Sequence, residues 1–297
     1  MKKLLSLLAV IAIAAASVAR ADDENQLATK LQNLSVTVHA DDGQGSGTII
    51  TRSGMNFVLT AGHVVEANRS VVELVKDGKT VLVPKFTPVT VVKEIYVDDR
   101  SVGTTTVEGE VIAYSSADYG QDLALIKLRS NVISDSVEFY QGKTVPVGTD
   151  VVHIGSLLGQ TGSNSYTVGT VSQVGRTYED KVYDQSSCAS FPGSSGGGIY
   201  TKTEGRYAGM LVRGAAGGFN LFIPLRRIHE WAKNQHVEFI FDPQSTIAWD
   251  KIKLEDGEPV GKSPRVRDSG EDHCPFLMGH RRPKPTPTAT PGTSPAA

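Results

Sequence analysis

This chain of 297 residues has few cysteines, no long apolar segment and no large excess of either charge. Two cysteines are too few for the disulfide framework of a small secreted domain or for a structural zinc site. The 30 basic and 32 acidic side chains nearly balance, which excludes the strongly basic surface of a nucleic-acid-binding protein. What is present is glycine, 30 residues of it, and this abundance favours a turn-rich β protein over a helical bundle.

A mostly apolar run, Leu4–Ala16, follows two lysines and leads to the small-residue sequence Ala19–Ala21. This pattern is typical of a secretory signal peptide at residues 1–21, with cleavage before Asp22 or two residues earlier. The run is too short to span a bilayer well, although an uncleaved membrane anchor is the alternative. We therefore expect an exported protein, periplasmic or extracellular, without stable membrane insertion after cleavage.

From Leu34 onward, short runs rich in Val, Ile and Thr alternate with turn residues, which predicts strands at the spacing of a barrel or sandwich. The exception is Leu225–Gln235, where apolar residues recur at helical spacing after a proline. Beyond about Asp242 the sequence turns polar, and five prolines lie in Pro283–Pro295. The predicted parts are an N-terminal extension at 22–33, a folded domain at 34–242, and a tail at 243–297 that is disordered from 281.

Three motifs carry residues suited to nucleophilic catalysis. A histidine follows an apolar strand in Leu59–Val65, an aspartate opens an apolar strand in Gln121–Leu128, and a serine lies among glycines in Pro192–Gly198. A serine hydroxyl needs an adjacent base, and that base needs an orienting carboxylate. Glycines beside the serine allow a sharp turn that exposes N–H groups toward a developing oxyanion. The candidate catalytic residues are His63, Asp122 and Ser195.

Alternatives exist for each of these assignments. His63 could be an interior histidine, Asp118 competes with Asp122 for the orienting role, and Ser194 is a neighbouring hydroxyl. Asp122 is preferred because it directly opens the apolar strand, and the glycine spacing selects Ser195.

A different enzyme fold also deserves a test. The nucleophile motif fits the Gly-x-Ser-x-Gly elbow of α/β-hydrolases, and Asp250 and His273 could nominally complete a triad in that order. However, the elbow must open a helix, and three consecutive glycines are a poor helix start. The remaining sequence also lacks the alternating helices of that fold.

The motifs together resemble the chymotrypsin-like serine proteases, most closely the bacterial HtrA/Deg type. Ala61–His63 is similar to the family's histidine motif, Asp122–Leu125 to its aspartate motif, and Gly193–Gly197 to its Gly-x-Ser-Gly-Gly nucleophile motif. The resemblance implies an all-β fold of two six-stranded antiparallel β-barrels, with the triad in the cleft between them and a C-terminal helix. Two further segments support it, Gly45–Thr48 and Gly155–Gln160.

The resemblance covers about residues 34–236 and implies a role for each candidate. Ser195 would attack the scissile carbonyl, His63 would transfer the proton, and Asp122 would orient the imidazole. The N–H groups of Gly193 and Ser195 would form the oxyanion hole. This chemistry needs no metal and no organic cofactor, and its partners are polypeptide substrates.

Substrate preference is also suggested by the resemblance. The residue six positions before Ser195 lies at the base of the primary specificity pocket in digestive relatives, and here it is Ala189. Without a carboxylate there, we expect cleavage after small or medium apolar residues. Arg213 could draw acidic substrates or lie in solvent. The predicted pocket residues are Ala189, Val212, Arg213 and Asn220.

The remaining features leave alternatives open. Cys188 and Cys274 could pair in an oxidising compartment, or they could be two independent thiols. Cys274 with His273 and His280 is weak evidence for zinc, so no metal site is predicted. The tail after residue 242 is too short for a PDZ domain, and the oligomeric state stays open. We interpret the chain as an exported serine endopeptidase; the alternative is a catalytically silent homologue that binds peptides in protein quality control.

Overall fold

A computed structural model describes residues 24–76, 79–97, 100–159, 162–215 and 218–255 of the chain. The signal segment 1–21, the proline-rich tail, Cys274 and His273 lie outside these residues. The described part contains a helix α1 at 24–33, which precedes the strands. Eight strands and a short helix α2 (Gly62–Val65) follow in the first half: β1 (Ser35–Ala40), β2 (Gly43–Arg52), β3 (Met55–Thr60), β4 (Arg69–Lys76), β5 (Lys79–Phe86), β6 (Val89–Val97), β7 (Arg100–Ser115) and β8 (Leu123–Leu128).

Six of these strands close into an antiparallel barrel, barrel 1, in the order β1-β2-β3-β8-β7-β6. The other two, β4 and β5, pair only with each other and form a separate hairpin. The start of β6 shows why the sequence forms strands, because Val89 and Val91 are buried and the residues between and after them are less so. This alternation places apolar side chains on one face of the sheet.

The second half of the chain forms barrel 2, again closed and antiparallel, in the order β10-β11-β14-β13-β12-β9. The register of β13 against β14 shifts between Leu211 and Arg213, so Val212 lies at a bulge. The six strands are β9 (Asp150–Leu157), β10 (Gly162–Tyr178), β11 (Lys181–Ser186), β12 (Gly198–Thr201), β13 (Tyr207–Ala215) and β14 (Phe219–Pro224).

The two barrels confirm the predicted fold class. They also contradict the α/β-hydrolase alternative, because the described strands pair antiparallel within both barrels and strand β12, rather than a helix, begins at Gly198. None of the helices in the described residues is long and apolar enough to cross a membrane.

The predicted C-terminal helix is present as α3, Leu225–Gln235. Leu225, Ile228 and Trp231, whose helical spacing predicted it, are all buried. The helix ends at His236, which adopts a left-handed conformation with φ of 58° and donates its N–H to the carbonyl of Ala232.

The packed structure extends past the predicted limits of 34 and 242 at both ends. Helix α1 buries Leu31 in the core. At the other end the chain returns to barrel 1, where the N–H of Tyr114 donates to the carbonyl of Leu254 at 2.7 Å. Arg69 and Glu255 form a buried two-point ion pair there, with N–O distances of 2.5 and 2.9 Å. The polar composition of the sequence after Asp242 therefore gave no sign that Leu254 and Glu255 pack against barrel 1.

Candidate active site

Barrel 1 brings the predicted histidine and aspartate into contact. His63 lies in α2, directly after β3, and Asp122 directly precedes β8. The Nδ1 atom of His63 is 3.0 Å and 3.1 Å from the two carboxylate oxygens of Asp122. The backbone N–H of His63 also donates to Asp122 Oδ1 at 3.0 Å. The structure thus places Asp122, the preferred candidate for the orienting role, in direct contact with this imidazole.

The backbone holds Asp122 in an unusual conformation. Its φ of 60° is left-handed, which is uncommon for a residue other than glycine. Its N–H donates to the carbonyl of Ser116 at 3.1 Å, and the preceding residue Gln121 donates its N–H to Ser115 Oγ at 2.5 Å. These bonds anchor the loop that turns the carboxylate toward His63.

The electrostatic environment keeps Asp122 ionised. Burial alone would raise the pKa of this carboxyl, whose side chain is only 2% exposed. The electrostatic attraction of His63 and the two hydrogen bonds from it outweigh burial, and Arg213 adds to their effect. The pKa of Asp122 is therefore held below its usual range, and the carboxylate stays negative beside the imidazole.

Barrel 2 carries the serine on a tight turn between β11 and β12. Gly193 has a φ of 95°, and a Cβ there would lie 2.2 Å from the carbonyl oxygen of Ser156, so only glycine fits. Ser195 is partly exposed, and its hydroxyl donates to the carbonyl of Val212 at 3.4 Å. The neighbouring hydroxyl of Ser194 is buried and accepts the N–H of Phe191 at 3.0 Å. Ser195 is thus the accessible serine of the pair.

The peptide groups of this turn are fixed by hydrogen bonds to their carbonyls. The carbonyl of Pro192 accepts the N–H of Leu158 at 2.8 Å, and that of Ser194 accepts the N–H of Gly197 at 3.0 Å. A trans peptide directs its N–H opposite to its carbonyl. Among the residues that the model describes, the N–H groups of Gly193 and Ser195 donate to no backbone carbonyl.

Strand β2 joins the two halves of the site. A Cβ on Gly45 would lie 2.4 Å from a methyl group of Val64, next to His63, and 2.8 Å from the carbonyl oxygen of Ser195. Only glycine leaves room for both the histidine helix and the serine turn to come this close to the strand. The adjacent Ser46 donates its N–H to the carbonyl of Ser195 at 2.7 Å.

Three of the four predicted pocket residues are near the serine turn or its strand. Ala189 is exposed, and its carbonyl accepts the hydroxyl of Thr167 at 3.0 Å. Asn220 is buried, with its amide nitrogen donating to the carbonyl of Cys188 and its amide oxygen accepting the hydroxyl of Ser190. Val212 supplies the carbonyl that Ser195 contacts. None of these side chains carries a charge.

Arg213, the fourth residue, is partly buried and contacts other side chains of the protein. Its side chain is 24% exposed, pairs with Glu179 at 3.2 Å, and lies over the ring of Tyr178 at 5.4 Å. Burial lowers its pKa, but interactions with Tyr183 and the carboxylate of Asp122 together raise it above the usual value. The guanidinium is therefore engaged by the protein rather than simply in solvent.

Sequence reasoning missed the cations that hold the aspartate loop. Arg227 on α3 donates from Nε and Nη2 to Gln121 Oε1 at 3.0 and 2.8 Å, and to the Gln121 carbonyl at 3.2 Å. Lys181 donates to the carbonyl of Ala117 at 2.6 Å. Two adjacent arginines in a helix give no sequence sign of which one turns inward, so no local pattern could have found this contact.

Cys188 is a buried thiol, and its Sγ lies 3.6 Å from the carbonyl of Val151. Burial raises its pKa to about 11, even though hydrogen bonds act in the opposite direction. Its predicted partner Cys274 lies outside the described residues, so the disulfide stays a prediction.

The fold and the two half-sites define a class of protein. Two antiparallel barrels, one with a His–Asp pair and one with a serine on a glycine turn, are the arrangement of trypsin-like peptidases. Residues 45–210, more than half of the chain, match the family model of the trypsin-like peptidase domain. The chain belongs to this family.

Its relatives are HtrA-type serine proteases. The chain is 28% identical over 203 residues to the putative serine protease HhoB of Synechocystis, covering 65% of this chain and 40% of that protein. It is 24% identical over 162 residues to the serine protease Do-like HtrA of Lactobacillus helveticus, covering 52% and 32%. The match thus spans about two fifths or less of these relatives.

Among solved structures, the fold is similar to that of the serine endoprotease from Yersinia pestis. The TM-score is 0.52 at 19% identity, and the match covers 74% of this chain and 67% of that one. At this identity the likeness concerns the fold alone.

Proposed function

We propose that this protein is an exported serine endopeptidase of the HtrA type, which cleaves peptide bonds through an acyl-enzyme. The observation that carries the proposal is the pairing of two half-sites across β2. Barrel 1 holds His63 against an ionised Asp122, and barrel 2 brings the Ser195 backbone close to Gly45, which also contacts Val64 beside His63. Export is supported by the signal-like sequence of residues 1–21.

The proposed reaction uses these groups in sequence. His63 takes the hydroxyl proton as Ser195 attacks the scissile carbonyl, and then returns a proton to the leaving amine. Asp122, which contacts Nδ1, favours the tautomer of His63 that carries its proton on Nδ1. It also stabilises the imidazolium that forms. In the second step His63 takes a proton from water as the water attacks the acyl-enzyme, and it returns a proton to Ser195 Oγ as the carboxylic acid product leaves.

The N–H groups of Gly193 and Ser195 form the proposed oxyanion hole. Their peptide carbonyls are bound on the far side by Leu158 and Gly197, which supports a preformed hole. Donors aimed at the developing charge before reaction begins need no reorganisation in the transition state.

We also propose cleavage after small or medium apolar residues. The support is the uncharged character of Ala189, Asn220 and Val212, together with the engagement of Arg213 by Glu179. With that guanidinium paired, an acidic substrate side chain finds no free cation in the predicted pocket.

A fluorophosphonate probe tests the activated nucleophile directly. We expect the purified mature protein to form an adduct on Ser195, located by peptide mass spectrometry, and Ser195→Ala to form none. Ser194→Ala is the matched control, because it removes the adjacent buried hydroxyl and should leave the adduct on Ser195.

A folded protein that stays unlabelled would contradict the active-protease proposal and favour the silent peptide-binding homologue. If the adduct lies on Ser194, the assignment of the nucleophile is wrong. A labelled enzyme then justifies a peptide-library search, in which a preference for Lys, Arg or acidic residues before the cut would contradict the proposed specificity.

A further inference from the structure

We infer that Ser46 is a positioning residue that holds the proposed oxyanion hole in shape from the opposite barrel. The inference rests on the proposed function and adds a residue to it. Ser46 lies in β2 of barrel 1, in the segment Gly45–Thr48, and is fully buried. Its role is to orient the turn that carries Gly193 and Ser195, without contacting substrate itself.

The contacts of Ser46 converge on that turn. Its hydroxyl donates to the carbonyl of Gly193 at 2.7 Å and accepts the N–H of Ser156 at 2.7 Å. Its backbone N–H donates to the carbonyl of Ser195 at 2.7 Å, and its carbonyl accepts the hydroxyl of Thr60 at 2.7 Å. One buried residue of barrel 1 thus binds both residues of the proposed hole.

The hydroxyl acts on the middle peptide of the turn. The peptide between Gly193 and Ser194 separates the two peptides whose N–H groups form the hole. At one end its N–H donates to the carbonyl of Phe191 at 2.9 Å, and at the other end its carbonyl accepts Ser46 Oγ. Because peptide groups are rigid planes, rotation of this middle plane would turn the flanking N–H groups away from a common point.

Gly193 makes this anchor necessary. Glycine adopts the φ of 95° seen here without strain, but it adopts many other backbone conformations just as readily. A hydrogen bond from a buried side chain removes that freedom. The other bonds to the carbonyls of the turn come from backbone N–H groups, for example Leu158 and Gly197, which a substitution cannot delete. The hydroxyl of Ser46, by contrast, is a side-chain donor to this turn, so a substitution can remove it and test its role.

The test compares two hydroxyls of the same strand. Thr48 is also buried in β2, and its Oγ1 lies 3.2 Å from the hydroxyl of Tyr200 in barrel 2. Ser46→Ala and Thr48→Val each remove a cross-barrel hydroxyl, but only the first contacts the nucleophile turn. Both full-length variants are compared with wild type by thermal unfolding and by the second-order rate constant for fluorophosphonate labelling.

We expect Ser46→Ala to label roughly 10- to 100-fold more slowly than wild type, since a small misplacement of catalytic groups has costs of that order. Thr48→Val should label at a rate near that of wild type even where it lowers the melting temperature. Ser46→Cys, whose thiol is a weaker donor, should fall between wild type and Ser46→Ala. A residue with only a structural role would change the melting temperature without changing the rate in the folded protein.

The outcomes separate the inference from the proposed function. An unlabelled wild type contradicts the function itself. A labelled wild type with Ser46→Ala at the same rate overturns the inference alone, and so does Thr48→Val slowed to the same degree. If Ser46→Ala does not fold, Ser46→Cys decides: slower labelling supports the inference, and an unchanged rate overturns it.

Discussion

Barrel 1 and barrel 2 have the same number of strands and the same closure, but they contribute different groups to the proposed site. Both bury aliphatic side chains, and both bury aromatic rings completely: Phe57 and Tyr114 in barrel 1, and Tyr183, Tyr200 and Tyr207 in barrel 2. The rings of Tyr200 and Tyr207 pack edge to face with centroids 5.6 Å apart.

The difference shows two ways of accommodating polar groups inside a barrel protein. Barrel 1 buries an ionised carboxylate, Asp122, which accepts hydrogen bonds from His63, and the charge of Arg213 in barrel 2 adds to its stabilisation. Barrel 2 buries one carboxylate, Asp184, which pairs with Arg226, and it also buries neutral groups that are partly unpaired: among the described residues, His153 Nε2 and the Tyr207 hydroxyl have no hydrogen-bond partner. The first barrel therefore holds the proposed charge chemistry, while the second presents a neutral nucleophile.

The largest expected effect comes from removing the charge that barrel 1 holds. Asp122→Asn keeps the shape of the side chain but loses the carboxylate that fixes the Nδ1–H tautomer of His63. We expect the rate of peptide hydrolysis to fall about 10,000-fold. Steady-state kinetics with the best substrate from the peptide library measures it. A loss of less than tenfold would show that barrel 1 does not supply the orienting charge.

The next effect tests how barrel 1 depends on its C-terminal segment. Glu255→Gln removes the carboxylate charge that faces the buried guanidinium of Arg69, whose side chain is 3% exposed. Breaking a buried pair in this way costs about 3 kcal/mol. Urea unfolding measures it. Glu108→Gln is the matched control, because Glu108 pairs with Arg129 at the surface, where such pairs contribute little. Equal losses in both variants would show that residues near 255 do not stabilise barrel 1.

The smallest effect is a pH dependence located in barrel 2. Burial lowers the pKa of His153 to about 4, although its contact with the Gly198 carbonyl acts in the opposite direction. In the unfolded chain His153 takes up a proton near pH 6.5, whereas in the folded protein it stays neutral. Stability therefore falls as the pH drops from about 6.5 to about 4. The total is roughly 3 kcal/mol or less.

His153→Gln should flatten this part of the stability profile, measured by urea unfolding at several pH values. It reduces the slope without abolishing it, since burial also lowers the pKa of His229. Asp122→Asn should keep the slope, because the pKa of Asp122 is depressed and its contribution is lost only below about pH 4. A His153→Gln profile identical to that of wild type would remove this distinction between the barrels.

Local patterns predicted much of this architecture. The helix at Leu225–Gln235 follows from apolar spacing within a single segment, and the strands follow from short β-branched runs. The resemblance of three short motifs implied the two barrels. The packing of residues near Glu255 on barrel 1 escaped prediction, because a polar segment without periodicity gives no sign that one of its carboxylates meets a buried arginine.

The sequence by itself determined the family, the order of the three motifs and the residue types available for chemistry. Only the tertiary structure decided which groups meet. His63 and Asp122 are 59 positions apart in the chain, and Ser46 and Gly193 are 147 apart. Propensity and periodicity act over a few residues, whereas these contacts exist because each barrel closes on itself and β2 lies against the nucleophile turn.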